Sequence, residues 1–189
     1  LLAKEIGEAI QMSSDVELFV RTVLEKYGET SAEFPWRNID STPYEVLVGE
    51  LLARNTDPET AVTAFSGFVE EYSDEQALAE ANADRATELL EEFGVDGGIV
   101  KDLRDIMGQV MFSGLPETEE MLLDLPHIDR AVAGTILCFG YEEHYPVVDK
   151  NVAQVYSEFF DLTITDPFQQ DDHLWELAKA LLPEGNHLR

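Results

Sequence analysis

The sequence predicts an all-α fold made of many short helices joined by tight turns. Apolar residues recur at the spacing of one helix face through most of the 189 residues, and convincing strand-like alternation is absent, so we expect no substantial sheet. Proline-led caps and glycine stops mark where helices begin and end. A chain of this length can bury one core, or one core split into two lobes.

The clearest helices carry a complete apolar face. Residues 61–72 and 99–110 place apolar side chains at i, i+3, i+4 and i+7. An Asp-Pro pair at 57–58 begins the first of these helices, and a Thr-Pro-Tyr-Glu capping box at 42–45 begins another. Further helices are predicted at 15–27, 84–93, 117–124, 130–139, 150–160 and 170–182, with helix stops at Gly94 and Gly114.

The charge balance is strongly acidic. There are 39 acidic and 12 basic residues, for a formal net charge of -27, which ordinarily argues against a nucleic-acid partner because such binding depends on Lys and Arg. The acidic residues are scattered along amphipathic segments and 44% of the chain is apolar, so disorder is not expected. We interpret the composition as that of a halophile, since the screening length falls to about 3 Å at molar salt.

Several classes of protein are disfavoured. No apolar run is long enough to cross a bilayer, and the first residues lack a secretion signal, so we expect a cytoplasmic protein with no membrane partner. The single cysteine, Cys138, rules out an internal disulfide and cannot by itself supply a zinc or iron–sulfur site. We therefore expect no metal site and no cofactor within this chain.

The stretch from Pro116 to Phe160 carries a distinctive order of motifs. A short helix is followed by Leu-Pro-His-Ile-Asp-Arg at 125–130, a helix beginning Ala-Val-Ala-Gly-Thr-Ile-Leu at 131–137, a loop, Pro-Val-Val-Asp-Lys-Asn-Val at 146–152, and another helix. This order resembles the helix-hairpin-helix and Pro-Val-Asp segment of the endonuclease III and adenine glycosylase superfamily.

Two other stretches carry the same resemblance, which covers about 30–189. Phe-Pro-Trp-Arg at 34–37 and the segment 42–56 look like the amino-terminal signature of the adenine and mismatch-thymine glycosylases. His-Leu-Trp-Glu-Leu at 173–177, through Pro-Glu-Gly at 183–185, is similar to the carboxy-terminal helix of the mismatch-thymine members.

The resemblance implies a two-lobed helical DNA glycosylase fold. The central lobe would span 42–145, with the hairpin motif at about 117–140, and the second lobe would combine 1–41 with 146–189. We expect a monomer that binds double-stranded DNA. Many relatives end in four cysteines that hold an iron–sulfur cluster, and we expect a cluster here only if a cysteine-bearing carboxy-terminal segment is missing from these residues.

Asp149 is the predicted catalytic residue. It follows an apolar pair and precedes a helix, so its simplest role is that of an amino-terminal cap. The resemblance places it at the catalytic aspartate of the superfamily, and the two roles are compatible. Breaking the bond between a base and deoxyribose builds positive charge on the sugar, which a fixed carboxylate stabilises.

Glu50 has two interpretations. It is either the acidic member of an i, i+4 ion pair with Arg54 on an exposed helix face, or, as the resemblance implies, the second catalytic residue, which contacts the extruded base. An acid there could protonate a leaving purine or hydrogen-bond a pyrimidine edge. The segment Arg54-Asn55-Thr56 matches the one that fills the gap left by the flipped nucleotide. The resemblance further implies that Glu50 and Asp149 face one another across a cleft.

The hairpin is expected to aim backbone amides at one phosphate. It normally reads Gly-hydrophobic-Gly, whereas His127 and Asp129 flank Ile128 here. Asp129 places an anion near that phosphate, which means either altered docking or a hairpin that no longer grips DNA. Arg130 and Lys150 could instead be solvated residues at helix ends. The predicted DNA-binding residues are His127, Ile128, Asp129, Arg130, Lys150, Arg54, Asn55 and Arg37.

Ala131 stands where bifunctional relatives carry the lysine that forms a Schiff base. Alanine offers no nucleophile, so the resemblance implies a monofunctional glycosylase that removes thymine or uracil opposite guanine, or adenine in a mismatch. Three alternatives stay open: a non-catalytic DNA-binding protein with this fold, an endonuclease III-like enzyme with weak lyase activity, and an acidic helical interaction protein.

Overall fold

The computed structural model describes residues 14, 16–23, 25, 34–38 and 40–182. Its regular elements are helical and no strand occurs among these residues, so the all-α prediction is confirmed. The chain divides into two units. The central unit contains 34–145 as far as these residues are described. The terminal unit combines the described part of 14–25 with 146–182.

The central unit holds seven α-helices among its described residues. A 3-10 turn at Pro35–Arg37 precedes them, and a π-helical turn at Ile136–Gly140 follows the last. The α-helices are α2 (Pro43–Asn55), α3 (Pro58–Glu71), α4 (Glu75–Glu80), α5 (Ala83–Glu92), α6 (Ile99–Val110), α7 (Glu119–Leu123) and α8 (Arg130–Thr135).

The terminal unit is built from both ends of the chain. Helix α1 is described at 14, 16–23 and 25, α9 is Lys150–Phe160, and α10 is Asp172–Ala180, preceded by a 3-10 turn at Phe168–Gln170. Phe19 of α1 meets three aromatic rings of α9 at centroid distances of 5.0 to 5.7 Å, which packs these two helices together. The predicted Pro-Glu-Gly motif at 183–185 lies outside the described residues.

Helix starts and stops follow the sequence signals. The Thr42 hydroxyl accepts the Glu45 amide hydrogen while the Glu45 carboxylate accepts the Thr42 amide hydrogen, which completes the predicted capping box. Asp57 caps α3, and the hydrogen bonds it accepts hold the pKa of its carboxyl below the usual value. Gly94 and Gly114 follow α5 and α6 with φ of 83° and 73°, in the left-handed region that glycine tolerates.

Helix α4 is not predicted by the sequence pattern. It has six residues, which is too short to show an apolar face. Asp74 caps its start, and Arg104 of α6 donates hydrogen bonds to the carbonyls of Leu78 and Ala81 at its end. A tertiary contact therefore stabilises this helix.

The helix predicted at 130–139 is α-helical only as far as Thr135. It continues as the π-helical turn, which ends at Gly140 against α2. A Cβ at Gly140 would lie 2.7 Å from the Cα of Pro43. The close approach of these two segments thus requires glycine.

The core of the central unit is formed by one face from nearly every helix. Residues 34–38 and 40–41 belong to this unit, whereas the sequence prediction assigns them to the other lobe. The Trp36 side chain is fully buried in this core. Within the described part of the chain, no helix is long and apolar enough to span a membrane. The largest fully buried side chains in the core of the central unit are Trp36, Tyr44, Leu47, Leu52, Phe68, Leu78, Leu90, Leu103, Ile106, Met107 and Leu122.

Candidate active site

Glu50 lies in the middle of α2 and is 8% exposed. The indole Nε1 of Trp36 donates to its Oε1 at 2.9 Å. The guanidinium of Arg37 donates from Nε to Oε1 at 2.8 Å and from Nη2 to Oε2 at 3.1 Å. This fork-shaped pair uses both carboxylate oxygens, and Trp36 adds a third donor. We call Trp36, Arg37 and Glu50 the Glu50 cluster.

Close packing around the indole holds the Glu50 cluster in place. Phe34 stacks on Trp36 with a centroid distance of 4.8 Å, and Phe65 packs at 5.0 Å. Gly49, next to Glu50, leaves the space that the indole occupies, because a Cβ there would lie 2.0 Å from Cδ2 of Trp36. The Arg37 guanidinium also lies 5.1 Å from the centre of the Phe34 ring.

The interpretation of Glu50 and Arg54 as an i, i+4 ion pair is wrong. Glu50 points into the unit and pairs with Arg37, which the sequence analysis assigns to DNA contact, while Arg54 pairs with Asp129. Helix periodicity gave no sign of the Arg37 partner, because the pair joins a 3-10 turn to a helix across 13 residues. No local sequence pattern indicates the hydrogen bond from Trp36 to Glu50.

Asp129 caps the second helix of the hairpin motif. Its Oδ1 accepts hydrogen bonds from the Ala131 and Val132 amides, both at 3.0 Å, and from Nη2 of Arg54 at 2.5 Å. Two backbone amides at the start of this helix are therefore bonded to this chain's own carboxylate. Asp129 also brings α2 and the hairpin together, since Arg54 lies at the end of α2.

The other hairpin residues have distinct environments. His127 adopts φ of 62°, which explains why the motif favours glycine at this position. Its Nε2 lies 3.4 Å from Oδ2 of Asp105 on α6, whereas Ile128 is buried in the core. Arg130 donates from Nε to Oε1 of Glu119 at 2.7 Å and its side chain is 19% exposed, so it is not a solvated residue at a helix end.

Asn55 and Lys150 complete the predicted DNA-binding set. The Asn55 amide donates to the Leu51 carbonyl of its own helix at 2.7 Å. Lys150 is exposed at the first position of α9 and forms no ion pair with the residues that the structure describes. Of the four basic residues in the motifs, Arg37, Arg54 and Arg130 therefore have carboxylate partners, and Lys150 faces solvent.

Asp149 begins α9 as predicted. Its Oδ1 accepts the Val152 amide hydrogen at 2.8 Å, and the residue is partly exposed. Within the described residues Oδ2 accepts no hydrogen bond. One oxygen is thus fixed by the helix start. Asp149 belongs to the terminal unit and Glu50 to the central unit, so the predicted facing of these carboxylates stays a prediction.

Metal-ligating side chains do not group together in the parts of the chain that the structure describes: no set of three His, Cys, Asp or Glu residues there could hold an ion. Cys138 lies in the π-helical turn, and burial raises the pKa of its thiol to about 11.

Comparison with known proteins gives a consistent set of relatives, although no family model matches. The chain is 24% identical over 172 residues to the thymine/uracil-DNA glycosylase of Methanothermobacter thermautotrophicus, covering 89% of this chain and 77% of that protein. It is 27% identical over 186 residues to the adenine DNA glycosylase of Rattus norvegicus, covering 89% of this chain but only 35% of that protein.

A solved structure of a thermostable thymine-DNA glycosylase superposes with a TM-score of 0.79 at 22% identity, covering 93% of this chain and 84% of that one. At this identity the likeness establishes the fold. The chain is therefore a homologue of the thymine/uracil-DNA and adenine DNA glycosylases with the helical fold of the endonuclease III family, which confirms the resemblance carried by the sequence motifs.

Proposed function

We propose that this protein is a monofunctional DNA glycosylase of base-excision repair, which hydrolyses the N-glycosidic bond of a mismatched or damaged base in double-stranded DNA. The observation that carries the proposal is Asp149, whose Oδ1 is bonded to the start of α9 while its Oδ2 accepts no hydrogen bond from the described residues. The names of the relatives support the reaction type. We also propose that it acts in the cytoplasm as a monomer, without a cofactor in this chain.

The reaction divides into loss of the base and addition of water. The bond from C1′ to the base nitrogen breaks, and its electron pair leaves with the base. The Asp149 carboxylate stabilises the positive charge that develops at C1′. Water then adds its oxygen to C1′ and loses a proton, which balances the charge on the departed base.

Ala131 determines which product the reaction leaves on the DNA. Its methyl group cannot attack C1′, and the residue is 9% exposed at the start of α8. The product is then an intact strand with an abasic site, which breaks only after treatment with alkali.

The test is an excision assay on duplexes that contain one U or T opposite G, or one A opposite G or 8-oxoguanine, in low and molar potassium chloride. We expect strand cleavage only after alkali, and at least about a 100-fold loss of turnover in Asp149→Asn. Asn still caps a helix, so folding is preserved.

Asp57→Asn is the matched control. Asp57 accepts the same kind of amide hydrogen bond at the start of α3, so both substitutions remove one charge from a helix cap. Full activity in Asp57→Asn with loss in Asp149→Asn supports the proposal. A wild-type protein that binds duplex tightly but excises no base contradicts it and favours the non-catalytic alternative, whereas cleavage without alkali favours the lyase alternative.

A further inference from the structure

The candidate catalytic carboxylate lies just after the point where the chain passes from one unit to the other. Tyr145 is the last residue of the central unit, Pro146 begins the terminal unit, and Asp149 follows four residues after Tyr145. We call residues 141–148 the connector. Four residues of chain span at most about 14 Å, so whatever holds Tyr145 limits how far Asp149 can move.

The side chain of Tyr145 lies against an ion pair of the hairpin motif. Arg130, at the first position of α8, donates from Nε to Oε1 of Glu119 at 2.7 Å. Burial raises the pKa of the Tyr145 hydroxyl, hydrogen bonding and the negative charge of Glu119 raise that pKa further, and Arg130 lowers it. The hydroxyl therefore meets both members of the pair. We call Tyr145, Glu119 and Arg130 the Tyr145 clamp.

A second tyrosine holds the connector to the same stretch of the chain. The Tyr141 hydroxyl donates to the carbonyl of Leu115, four residues before Glu119. The backbone amide of Glu143 donates to the Leu137 carbonyl at 2.9 Å. The rings of both connector tyrosines also pack against the core of the central unit. The connector is thus held at two places to the segment that leads into the hairpin.

The chain between Tyr145 and Asp149 has little freedom to absorb a displacement. Pro146 has a fixed φ and also restricts the backbone of the residue before it, which is Tyr145. The two residues that follow are valines, whose branched side chains are stiff, and Val148 is fully buried. Asp149 is then held by its own cap on α9. A shift at Tyr145 is therefore passed along to Asp149.

We infer that Tyr145 is a positioning residue for the reaction: held by Glu119 and Arg130, it fixes the start of the short segment that carries Asp149. This inference rests on the proposed glycosylase function. It also gives Arg130 a role that needs no contact with DNA. A carboxylate stabilises charge at C1′ only from close by, and a misplacement of about 1 Å can lower a rate about 100-fold.

Tyr145→Phe is the main test, because it removes the hydroxyl and keeps the ring. The substrate is the duplex of the excision panel on which wild type is fastest, and the single-turnover rate is measured separately from the duplex Kd. We expect the rate to fall about 5- to 20-fold, since Asp149 loses its fixed position. The Kd should change less than about twofold, because the hydroxyl is engaged within the protein.

Glu119→Gln tests the partner of Tyr145. Glutamine keeps the size of the side chain but removes the charge that holds Arg130 and weakens the interaction with the Tyr145 hydroxyl. The single-turnover rate should fall by a similar factor. The double variant with Tyr145→Phe should be little slower than the slower single variant, because both substitutions break the same contact.

Tyr44→Phe is the matched control. Its hydroxyl also donates within the central unit, to the Tyr72 carbonyl at 2.7 Å, and the residue is buried. Removing it should lower stability without changing the single-turnover rate, provided that every variant is assayed well below its unfolding temperature. A general loss of stability is thereby separated from a loss of positioning.

Hydrogen–deuterium exchange gives a second readout that does not require catalysis. The amides of residues 147–149 should exchange faster in Tyr145→Phe and in Glu119→Gln than in wild type, because the connector opens more often. In Tyr44→Phe these amides should exchange at the wild-type rate.

Three results would overturn the inference while the glycosylase function stands. The first is a folded Tyr145→Phe with the wild-type excision rate, and the second is a Tyr44→Phe that is equally slow. The third is a double variant whose loss is the product of the two single losses. If wild type excises no base from any duplex, the proposed function fails and the role in positioning Asp149 fails with it, whereas the exchange rates still report whether the Tyr145 clamp holds the connector.

Discussion

The central unit contains two arginine–carboxylate pairs that differ in how much water reaches them. In the pair of Arg37 and Glu50 the side chains are 21% and 11% exposed, and the carboxylate is also bonded to Trp36. In the pair of Arg54 and Asp129 they are 36% and 33% exposed, and one carboxylate oxygen is shared with two helix amides.

The difference shows how burial changes the role of the same chemical pair. A pair shielded from water and held by several directed donors is costly to break, because each group left behind is desolvated and unpaired. A pair that is one third exposed contributes little to stability and is screened by salt. The Glu50 pair therefore acts as a fixed part of the site, while the Asp129 pair can open when another anion competes for Arg54.

The largest expected effect comes from a residue outside both pairs. Gly49→Ala places a Cβ about 2.0 Å from the Trp36 ring, so the indole must move and its hydrogen bond to Glu50 is lost. Crowding a well-packed core costs about 1–3 kcal/mol, and we expect the upper end of that range. Urea unfolding followed by circular dichroism measures the loss.

Gly108→Ala provides the control for this prediction. Gly108 lies in α6 and no atom is within 4 Å of the Cβ that would be added. Alanine is the better helix former, so this variant should gain about 0.5–1 kcal/mol. Equal stability of the two alanine variants would show that the close approach of Gly49 and Trp36 does not exist in solution.

Glu50→Gln should have the next largest effect. The glutamine amide turns one acceptor into a donor that faces Trp36 or Arg37, and Arg37 loses its ion-pair partner. We expect a loss of about 2 kcal/mol in the free energy of unfolding, with little dependence on salt.

Glu92→Gln removes the same charge from an exposed pair with Arg85, where the glutamate side chain is 62% exposed. Its unfolding free energy should change by less than about 0.5 kcal/mol. If Glu50→Gln is as mild as Glu92→Gln, burial does not distinguish the Glu50 pair from a surface pair.

Most of the fold could be predicted from sequence because its signals are local. The capping box at Thr42, the Asp57 cap and the glycines that end α5 and α6 each depend on a few adjacent residues. Helix α4 and the π-helical turn could not be predicted, since the first is fixed by Arg104 from another helix and the second lies against Pro43.

The candidate site also contains some features that local sequence predicts and others that it does not. The capping role of Asp149 depends on the next three residues and could be predicted, as could the anion that Asp129 places at the hairpin. The partners of Glu50 and Arg54 are 13 and 75 residues away in the chain, so helix periodicity offered only the wrong partner, four residues distant. The sequence predicted candidate site residues but not the hydrogen bonds and ion pairs between them.

Asp129→Asn should have the smallest effect on stability and the most informative effect on binding. Asparagine caps as well as aspartate, so the Ala131 and Val132 amides stay bonded while the ion pair with Arg54 is lost. We expect the unfolding free energy to change by less than about 1 kcal/mol at low salt and by less still in molar salt.

Duplex affinity of Asp129→Asn should rise instead, because a negative charge is removed and Arg54 becomes available to a phosphate. One additional phosphate contact makes the dependence of log Kd on log salt steeper by about 1, which fluorescence anisotropy at several salt concentrations measures. Asp124→Asn removes an equal charge at the end of α7 and should leave this slope unchanged. A slope for Asp129→Asn that matches wild type would mean that Arg54 does not exchange its carboxylate for DNA, and the exposed pair would then be as fixed as the buried one.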